Sequence, residues 1–125
     1  DSYLGNNEAT TFGGVMLSQA NALFYNNFIY GNRAKYGGFI YSESNNLEVN
    51  KDTILGNSAI YGGAMVLNVK NICNQTIKFT DIILENNTAS LVGGAVWFEV
   101  IFKIKITFTN LGKWYNLWPI RNYNI

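Results

Sequence analysis

Short apolar segments, interrupted by asparagine and by pairs of glycine, recur four times along this chain. Each copy starts with an aliphatic residue, reaches an asparagine three positions later and an alanine two positions after that, and closes with Gly-Gly before the next apolar run. The copies begin at Leu4, Ile29, Ile54 and Leu84. A pattern that recurs in this way is typical of repeat proteins, in which each repeat buries its apolar face against its neighbours. We therefore predict a stack of similar repeats.

The glycine pairs set the period of the repeat. They begin at Gly13, Gly37, Gly62 and Gly93, which lie 24, 25 and 31 residues apart. Helical repeats need amphipathic stretches of about ten residues or more, whereas the segments here are short and rich in β-branched and aromatic side chains. Asparagine and glycine, which favour turns, separate the segments. The pattern therefore predicts an all-β chain of about four coils, each made of short strands.

The third interval contains extra residues. We expect them within residues 68–81, because the motif that follows keeps its order. Insertions in repeat proteins usually emerge as loops on one face, and that face often carries function. The segment is either a tolerated bulge or a functional loop of this kind.

Stacking places equivalent residues of successive coils in columns, with about 4.8 Å between neighbours. Three columns are expected to point into the core, because like apolar side chains stacked at this distance fill a narrow interior. One is the aliphatic start of the motif. Another lies two positions after each glycine pair and consists of Met16, Ile40, Met65 and Val96. The third, at a bend where a larger side chain would collide, consists of Ala9, Ala34, Ala59 and Ala89.

The asparagines of the motif form a further column, which consists of Asn7, Asn32, Asn57 and Asn87. A side-chain amide at a bend can bond to its own backbone and to the amides one coil above and one coil below. We therefore predict a structural asparagine ladder. Each glycine pair is expected to supply a positive φ or a close approach of two backbones just before the next strand. Together these residues predict a corner of the coil.

One apolar column is expected to face outward, between the inward positions, and consists of Leu17, Tyr41, Val66 and Trp97. An exposed apolar stripe usually marks a surface for a partner or a ligand. Either this stripe is an interaction surface, or the inside and the outside of this strand are reversed.

The pattern changes near the C-terminus. Residues 1–99 are predicted to form the coils, and residues 100–125 an atypical capping or interaction segment. Alternating apolar and polar residues over 103–109 predict a half-exposed strand or hairpin. Trp114, Trp118 and the only proline follow. A terminal repeat that departs from the consensus commonly caps the core; the alternatives are an aromatic and basic binding patch or an unrelated tail.

Two signals carry a resemblance to a known family. One is the aliphatic residue followed two spacers later by asparagine, present as LGNN, IYGN, ILGN and LENN. The other is the glycine pair with its apolar continuation, present as GGVM, GGFI, GGAM and GGAV. Their alternation over residues 4–98 resembles the repeats of chlamydial polymorphic outer-membrane proteins and of related β-helix surface proteins of protists. The resemblance implies a right-handed parallel β-helix with the pectin-lyase-like fold, in an extracellular or surface-displayed protein that is often an adhesin or a structural shaft.

The composition provides few residues that could catalyse a reaction, bind a metal or attract a charged partner. A net charge of +1 provides no general attraction for nucleic acid, and no run of about 18 apolar residues predicts a membrane span. Because the chain has no histidine, it has no Ser-His-Asp or Cys-His arrangement and no histidine-based zinc site. The acidic residues are scattered along the chain. Asp52 and Asp81 each precede a motif and could approach one another on adjacent coils, but we expect them to be solvated surface acids.

These features predict a non-catalytic structural or adhesive segment of an extracellular or cell-surface assembly, without a metal or a cofactor. The expected partners are other protein chains of the same or a larger assembly, with glycan as a further candidate. In a secreted eukaryotic protein Asn74 and Asn86 would be acceptors for N-glycosylation. The alternative function is that of a carbohydrate-binding or carbohydrate-cleaving pectin-lyase-like fragment. The scattered carboxylates argue against cleavage.

Overall fold

The computed structural model describes residues 1–43, 46–69, 76–100, 105–109 and 120–122, and these residues form short β-strands and no helix. In chain order the strands are β1 (Tyr3–Gly5), β2 (Met16–Ser18), β3 (Ala22–Tyr25), β4 (Phe28–Tyr30), β5 (Ile40–Ser42), β6 (Asn46–Asn50), β7 (Thr53–Leu55), β8 (Ser58–Tyr61), β9 (Met65–Val69), β10 (Thr76–Thr80), β11 (Ile83–Glu85), β12 (Thr88–Val92), β13 (Val96–Val100), β14 (Lys105–Thr109) and β15 (Ile120–Asn122). We call residues 3–25, 28–50, 53–80 and 83–109 repeats 1 to 4.

The strands assemble into sheets that are ordered by repeat. Sheet I has the order β1-β4-β7-β11, sheet II the order β2-β5-β9-β13-β15, and sheet III the order β3-β6-β10-β14; sheet IV contains β8 and β12. The strand pairings within these sheets are parallel. Each strand therefore lies beside the equivalent strands of the neighbouring repeats. The predicted all-β fold with parallel stacking of repeats is confirmed.

The aliphatic positions of the motif stand in register. In sheet I, Leu4 lies opposite Ile29, Ile29 opposite Ile54, and Ile54 opposite Leu84. The second aliphatic column, in sheet II, pairs in the same way. Within repeats 2 to 4 the side chains of both columns are buried. They form one apolar cluster with inward residues of sheet III, where successive side chains alternate between the core and the surface.

The two glycines of each pair have different structural roles. The first has a positive φ, for example 66° at Gly37 and 60° at Gly62, a conformation that glycine adopts without steric cost. The second allows the backbones of two repeats to approach: a Cβ at Gly38 would lie 2.3 Å from the carbonyl oxygen of Gly63. Glycine is therefore required at the first position because of its torsion angle, and at the second position because the two backbones are in close contact.

The alanine column does not point into the core, contrary to the prediction. None of the motif alanines belongs to the buried apolar cluster, and only Ala34 is buried. The asparagine side chains occupy the inside of this corner instead. The affected residues, Ala9, Ala34, Ala59 and Ala89, line a groove on the outer surface.

The extra residues of the third interval lie mostly between β9 and β10. Nine positions separate Leu67 from Thr76, whereas four separate their partners Ser42 and Asn46, so five extra residues lie there. A further residue is accommodated by a register shift within β12. The first location falls within the predicted residues 68–81. Because residues 70–75 lie outside the described part of the chain, the choice between a bulge and a functional loop stays open.

Two described strands of the C-terminal segment continue the sheets. Strand β14 pairs with β10, and strand β15 pairs with β13, both in parallel. A strand predicted over 103–109 is thus present over 105–109. Trp114 and Trp118 lie outside the described residues, and the division into coils 1–99 and a cap 100–125 stays a prediction.

Candidate functional site

The four asparagines of the motif form a continuous ladder of hydrogen bonds. The backbone N–H and the side-chain Nδ2 of Asn7 donate to Oδ1 of Asn32, at 2.9 and 3.0 Å. Asn32 makes the same two bonds to Asn57, and Asn57 makes them to Asn87, all at 2.9 to 3.0 Å. The structure therefore brings together every residue that the sequence placed in this column.

The inner amides of the ladder also bond to the preceding repeat. Nδ2 of Asn32 donates to the carbonyl oxygen of Leu4 at 2.8 Å, and Nδ2 of Asn87 donates to that of Ile54 at 2.9 Å. Asn32 is completely buried. A buried polar group without a partner costs about 1–3 kcal/mol, so these bonds are necessary at this corner. Because its inner amides bond to neighbouring repeats, the ladder is a structural element rather than a ligand site.

A second, shorter ladder lies at the corner before sheet I. The backbone N–H of Ser2 donates to Oδ1 of Asn27, and the backbone N–H and Nδ2 of Asn27 donate to Oδ1 of Asp52 at 2.7 and 2.8 Å. Oδ2 of Asp52 accepts the backbone N–H of Asn50, and Asp52 is 1% exposed. In the next repeat the equivalent residue is the buried Ile82. The sequence analysis did not predict this ladder, although the 25-residue spacing between Asn27 and Asp52 matches the repeat.

The expectation that Asp52 and Asp81 are both solvated surface acids is wrong for Asp52 and is confirmed for Asp81. Asp52 is buried, whereas Asp81 is exposed and stands in register with Lys51. Burial raises the pKa of the Asp52 carboxyl above its ordinary value, and the hydrogen bonds from Asn27 and Asn50 oppose this shift. The two carboxyls therefore lie in different environments, one buried and one in solvent.

We expect Asp52 to make the free energy of unfolding depend on pH. Because the folded-state pKa is raised, the folded protein holds a proton that the unfolded chain releases. The stabilisation that this proton provides is therefore complete below the unfolded-state pKa of about 3.9. It is lost as the pH rises through the folded-state pKa of Asp52. Asp52→Asn keeps an oxygen acceptor for Asn27 and removes the titration. Urea unfolding from acidic to neutral pH should show the wild type losing stability relative to this variant; parallel pH profiles would contradict the expectation.

An aromatic stack runs along the outer side of the glycine corner. The rings of Phe12, Tyr36, Tyr61 and Trp97 follow one another through the four repeats, with centroids 5.3, 4.9 and 5.2 Å apart. Stacked pairs of this kind contribute about 0.5–1.5 kcal/mol beyond their buried area. The sequence signal, which we did not use, is an aromatic residue directly before each of the first three glycine pairs.

This aromatic stack packs against the column that was expected to be an exposed stripe, and Trp97 belongs to both. Leu17, Tyr41, Val66 and Trp97 do lie in register, and none belongs to the core cluster. However, Tyr41 and Val66 are only 7% and 1% exposed, and the ring centroid of Tyr41 lies 4.6 Å from that of Phe12. Only Leu17, at 50%, is freely exposed. The stripe is a second apolar layer outside the core, which neither alternative described, and a partner at its exposed end stays a prediction.

The outer groove has a volume of about 560 Å³ and crosses all four repeats. Along the chain, each motif alanine stands between a residue of one side of the groove and a residue of the other side. One side consists of the residues after the motif asparagines: Glu8, Arg33, Ser58 and Thr88. The other consists of the residues after the motif alanines: Thr10, Lys35, Ile60 and Ser90. Arg33 and Lys35 are both exposed and place two positive charges in the groove, beside several hydroxyl groups and the exposed carboxylate of Glu8, which is in register with Arg33.

One of the two candidate glycosylation sites, Asn86, lies among the described residues. Asn86 and Thr88 are exposed, while Asn87 between them is buried in the ladder. Asn74 lies outside the described residues. Among the described residues, no three His, Cys, Asp or Glu side chains are grouped as metal ligands. The same residues include no helix with the length and apolar character needed to cross a membrane.

Comparisons with protein-family models, curated proteins and solved structures found no match to this chain. The function therefore has to be argued from the described residues themselves. Four features of these residues bear on the function: the two ladders, the aromatic stack and the outer groove.

Proposed function

We propose that this chain is a right-handed parallel β-helix of about four coils, and that it is a non-catalytic structural or adhesive segment of an extracellular or cell-surface assembly. The parallel stacking of equivalent strands in sheets I to III supports the β-helix. The resemblance of the repeated motifs to those of polymorphic outer-membrane proteins supports the location. The expected partners are other chains of the assembly.

The observation that carries the structural role is that side-chain contacts run through every repeat. The asparagine ladder joins each motif asparagine to its equivalent in the next repeat. The aromatic stack does the same from Phe12 to Tyr61 and continues to Trp97, which is not the equivalent position. In repeat proteins stability is the sum of such interfaces and of the intrinsic stability of each repeat. A stack of repeats in which each interface between neighbours contains two such contacts is suited to resist force applied along its axis.

Two measurements test this proposal. Small-angle X-ray scattering of the chain should fit the compact stack of repeats, and a profile typical of an expanded chain would contradict the β-helix. Beads coated with the native chain should adhere to cultured cells more strongly than beads coated with heat-unfolded chain. Equal adhesion of both would contradict the adhesive role and leave the structural one.

Glycan binding is a second candidate function, which the outer groove favours. Its hydroxyl groups, on Thr10, Ser58, Thr88 and Ser90, match the hydrogen-bonding groups of a sugar chain. Arg33 and Lys35 would pair with carboxylate or sulfate groups on that chain. A groove that crosses the repeats could hold several sugar units in a row.

We expect the double change Arg33→Ala and Lys35→Ala to weaken binding of an acidic glycan by about tenfold or more, since each charge-assisted hydrogen bond contributes about 1.5–3 kcal/mol. Affinity can be measured on immobilised acidic and neutral glycans. Lys78→Ala is the matched control, because Lys78 is an exposed cation that does not line this groove. Unchanged affinity in the double variant, or equal losses in both proteins, would exclude the groove as the binding site.

A further inference from the structure

The outer face of sheet I carries a cluster of exposed aromatic rings. On each strand of this sheet the central residue points into the core, and the two residues beside it point outward. One outward column consists of Tyr3, Phe28, Thr53 and Ile83, and the other consists of Gly5, Tyr30, Leu55 and Glu85. Phe28 and Tyr30 are 39% and 40% exposed, although their strand β4 lies between β1 and β7. Their exposure is therefore a property of the face and not of an end of the stack.

Three rings on this face have similar orientations. The ring centroids of Tyr3 and Phe28 are 5.6 Å apart with 16° between the ring planes, and those of Phe28 and Tyr30 are 6.1 Å apart with 23° between the planes. The ring of Tyr3 lies over Gly5, where a Cβ would be 2.3 Å from it. The glycine thus leaves room for this ring close to the strand. We call the surface formed by Tyr3, Phe28 and Tyr30 the aromatic face.

Charge distinguishes this face from the outer groove. Among the eight outward positions of sheet I, all of them described, Glu85 is the only charged residue and none is basic. Aromatic side chains also stack on the bases of single-stranded nucleic acid, but proteins that bind in this way combine the rings with a positively charged groove. An acidic glycan would likewise need basic residues. We therefore expect an uncharged occupant.

The size of the face favours a small ligand over a second protein. Four strands about 4.8 Å apart, with three residues each at about 3.3 Å per residue, cover roughly 200 Å². A stable interface between proteins buries about 800 Å² on each partner. The face is too small for such an interface, whereas a few sugar rings would cover it.

Sugar rings match aromatic rings in shape and in polarity. A pyranose with equatorial hydroxyl groups presents C–H groups on its two faces, and the electron-rich face of an aromatic ring attracts them. The hydroxyl groups at the edge of the sugar need hydrogen-bonding partners. Exposed polar side chains stand at the two corners that border sheet I, with Asn26 and Asp81 at one corner and Asn6 and Asn86 at the other. An apolar centre with polar borders is thus available to a sugar chain.

We infer that the aromatic face binds a neutral glycan, whose pyranose rings stack on Tyr3, Phe28 and Tyr30. The inference goes beyond the proposed function, because it concerns a second surface and an uncharged ligand, whereas the outer groove is suited to an acidic one. The distances between the ring centroids are close to the length of one sugar unit. Neighbouring units of one chain can therefore contact neighbouring rings.

Isothermal titration calorimetry with cellohexaose and xylohexaose, two neutral β-linked oligosaccharides, tests this inference. The wild-type chain should bind at least one of them. Phe28→Leu should weaken that binding by about threefold to tenfold, because it keeps an apolar side chain and removes the stacking. Phe12→Leu is the matched control: Phe12 is also 39% exposed but belongs to the aromatic stack at the glycine corner, and its loss should leave the affinity unchanged. Circular dichroism establishes that both variants are folded.

Two further variants identify the surface and the kind of contact. Tyr30→Phe keeps the ring and should keep most of the affinity. The double change Arg33→Ala and Lys35→Ala alters the outer groove and should leave the binding of neutral oligosaccharides unchanged. A wild-type chain that binds neither oligosaccharide would overturn the inference. So would equal losses in Phe28→Leu and Phe12→Leu, or a loss in the groove variant that Phe28→Leu does not show.

Discussion

Replacing Gly38 with alanine is expected to destabilise the protein by roughly 3 kcal/mol, the upper part of the range for overpacking. A Cβ at this position would lie 2.3 Å from the carbonyl oxygen of Gly63, 2.7 Å from that of Ser58 and 2.8 Å from that of Asn32. All three neighbours are backbone atoms, which cannot rotate away as a side chain can. The added methyl group must therefore separate repeats 2 and 3, whose backbones are joined at this point by a hydrogen bond from Gly38 to Gly63.

The matched control is Gly5→Ala. A Cβ at Gly5 would also meet an atom at 2.3 Å, but that atom belongs to the ring of Tyr3, which is 61% exposed and can move away at the cost of its stacking on Phe28. We expect this variant to lose less than about 1 kcal/mol. Urea-induced unfolding of both proteins gives the comparison. Similar small losses at the two positions would show that the repeats are not in close contact at Gly38.

The columns of this fold could be predicted from the sequence because parallel stacking converts sequence spacing directly into spatial register. Leu4, Ile29 and Ile54 are separated by 25 residues and lie opposite one another. The same holds for the asparagine ladder, where a side-chain amide has partners only if the spacing is maintained. Wherever the spacing is regular, the residue in the neighbouring repeat is known without a structure.

The corners could not be predicted in the same way, because the alternation of inward and outward side chains is interrupted where the chain turns. Asn57 and Ala59 are two positions apart, yet the asparagine is buried and the alanine lines the outer groove. The burial of Tyr41 likewise depends on Phe12, a ring from the neighbouring repeat. Asp52 was expected in solvent because an isolated acid usually lies there, but Asn27 supplies two donors that make its burial possible.

The positions that stacking constrains differ from those that carry chemistry. Residues of the ladder and the glycine pairs recur in each repeat, because each repeat has the same corner to form. The groove residues that follow the asparagines do not recur: Glu8, Arg33, Ser58 and Thr88 share a position but no chemical character. The repeat therefore indicates the fold strongly, whereas the proposed glycan binding depends on groove residues that differ from one repeat to the next.

Replacing Asn57 with alanine is expected to destabilise the protein by about 3 kcal/mol, since it leaves two buried donors without an acceptor, at about 1–3 kcal/mol each. Those donors are the backbone N–H of Asn32 and one of the two N–H groups of its Nδ2, which both bond to Oδ1 of Asn57 at 2.9 Å; the other N–H of Nδ2 keeps its bond to Leu4. The change also removes the Nδ2 donor that bonds to Oδ1 of Asn87 and to the carbonyl oxygen of Ile29. Urea unfolding measures the loss.

Asn7→Ala is the same substitution at the exposed end of the same ladder. Asn7 donates to Asn32 but accepts no hydrogen bond from the described residues, so its loss should cost only about 1 kcal/mol. Asn57→Asp keeps the acceptor for Asn32, but directs a carboxylate oxygen at Oδ1 of Asn87, and should therefore also destabilise the protein strongly at neutral pH. If Asn57→Ala and Asn7→Ala cost the same, or if Asn57→Asp has no effect, the ladder does not hold the repeats together.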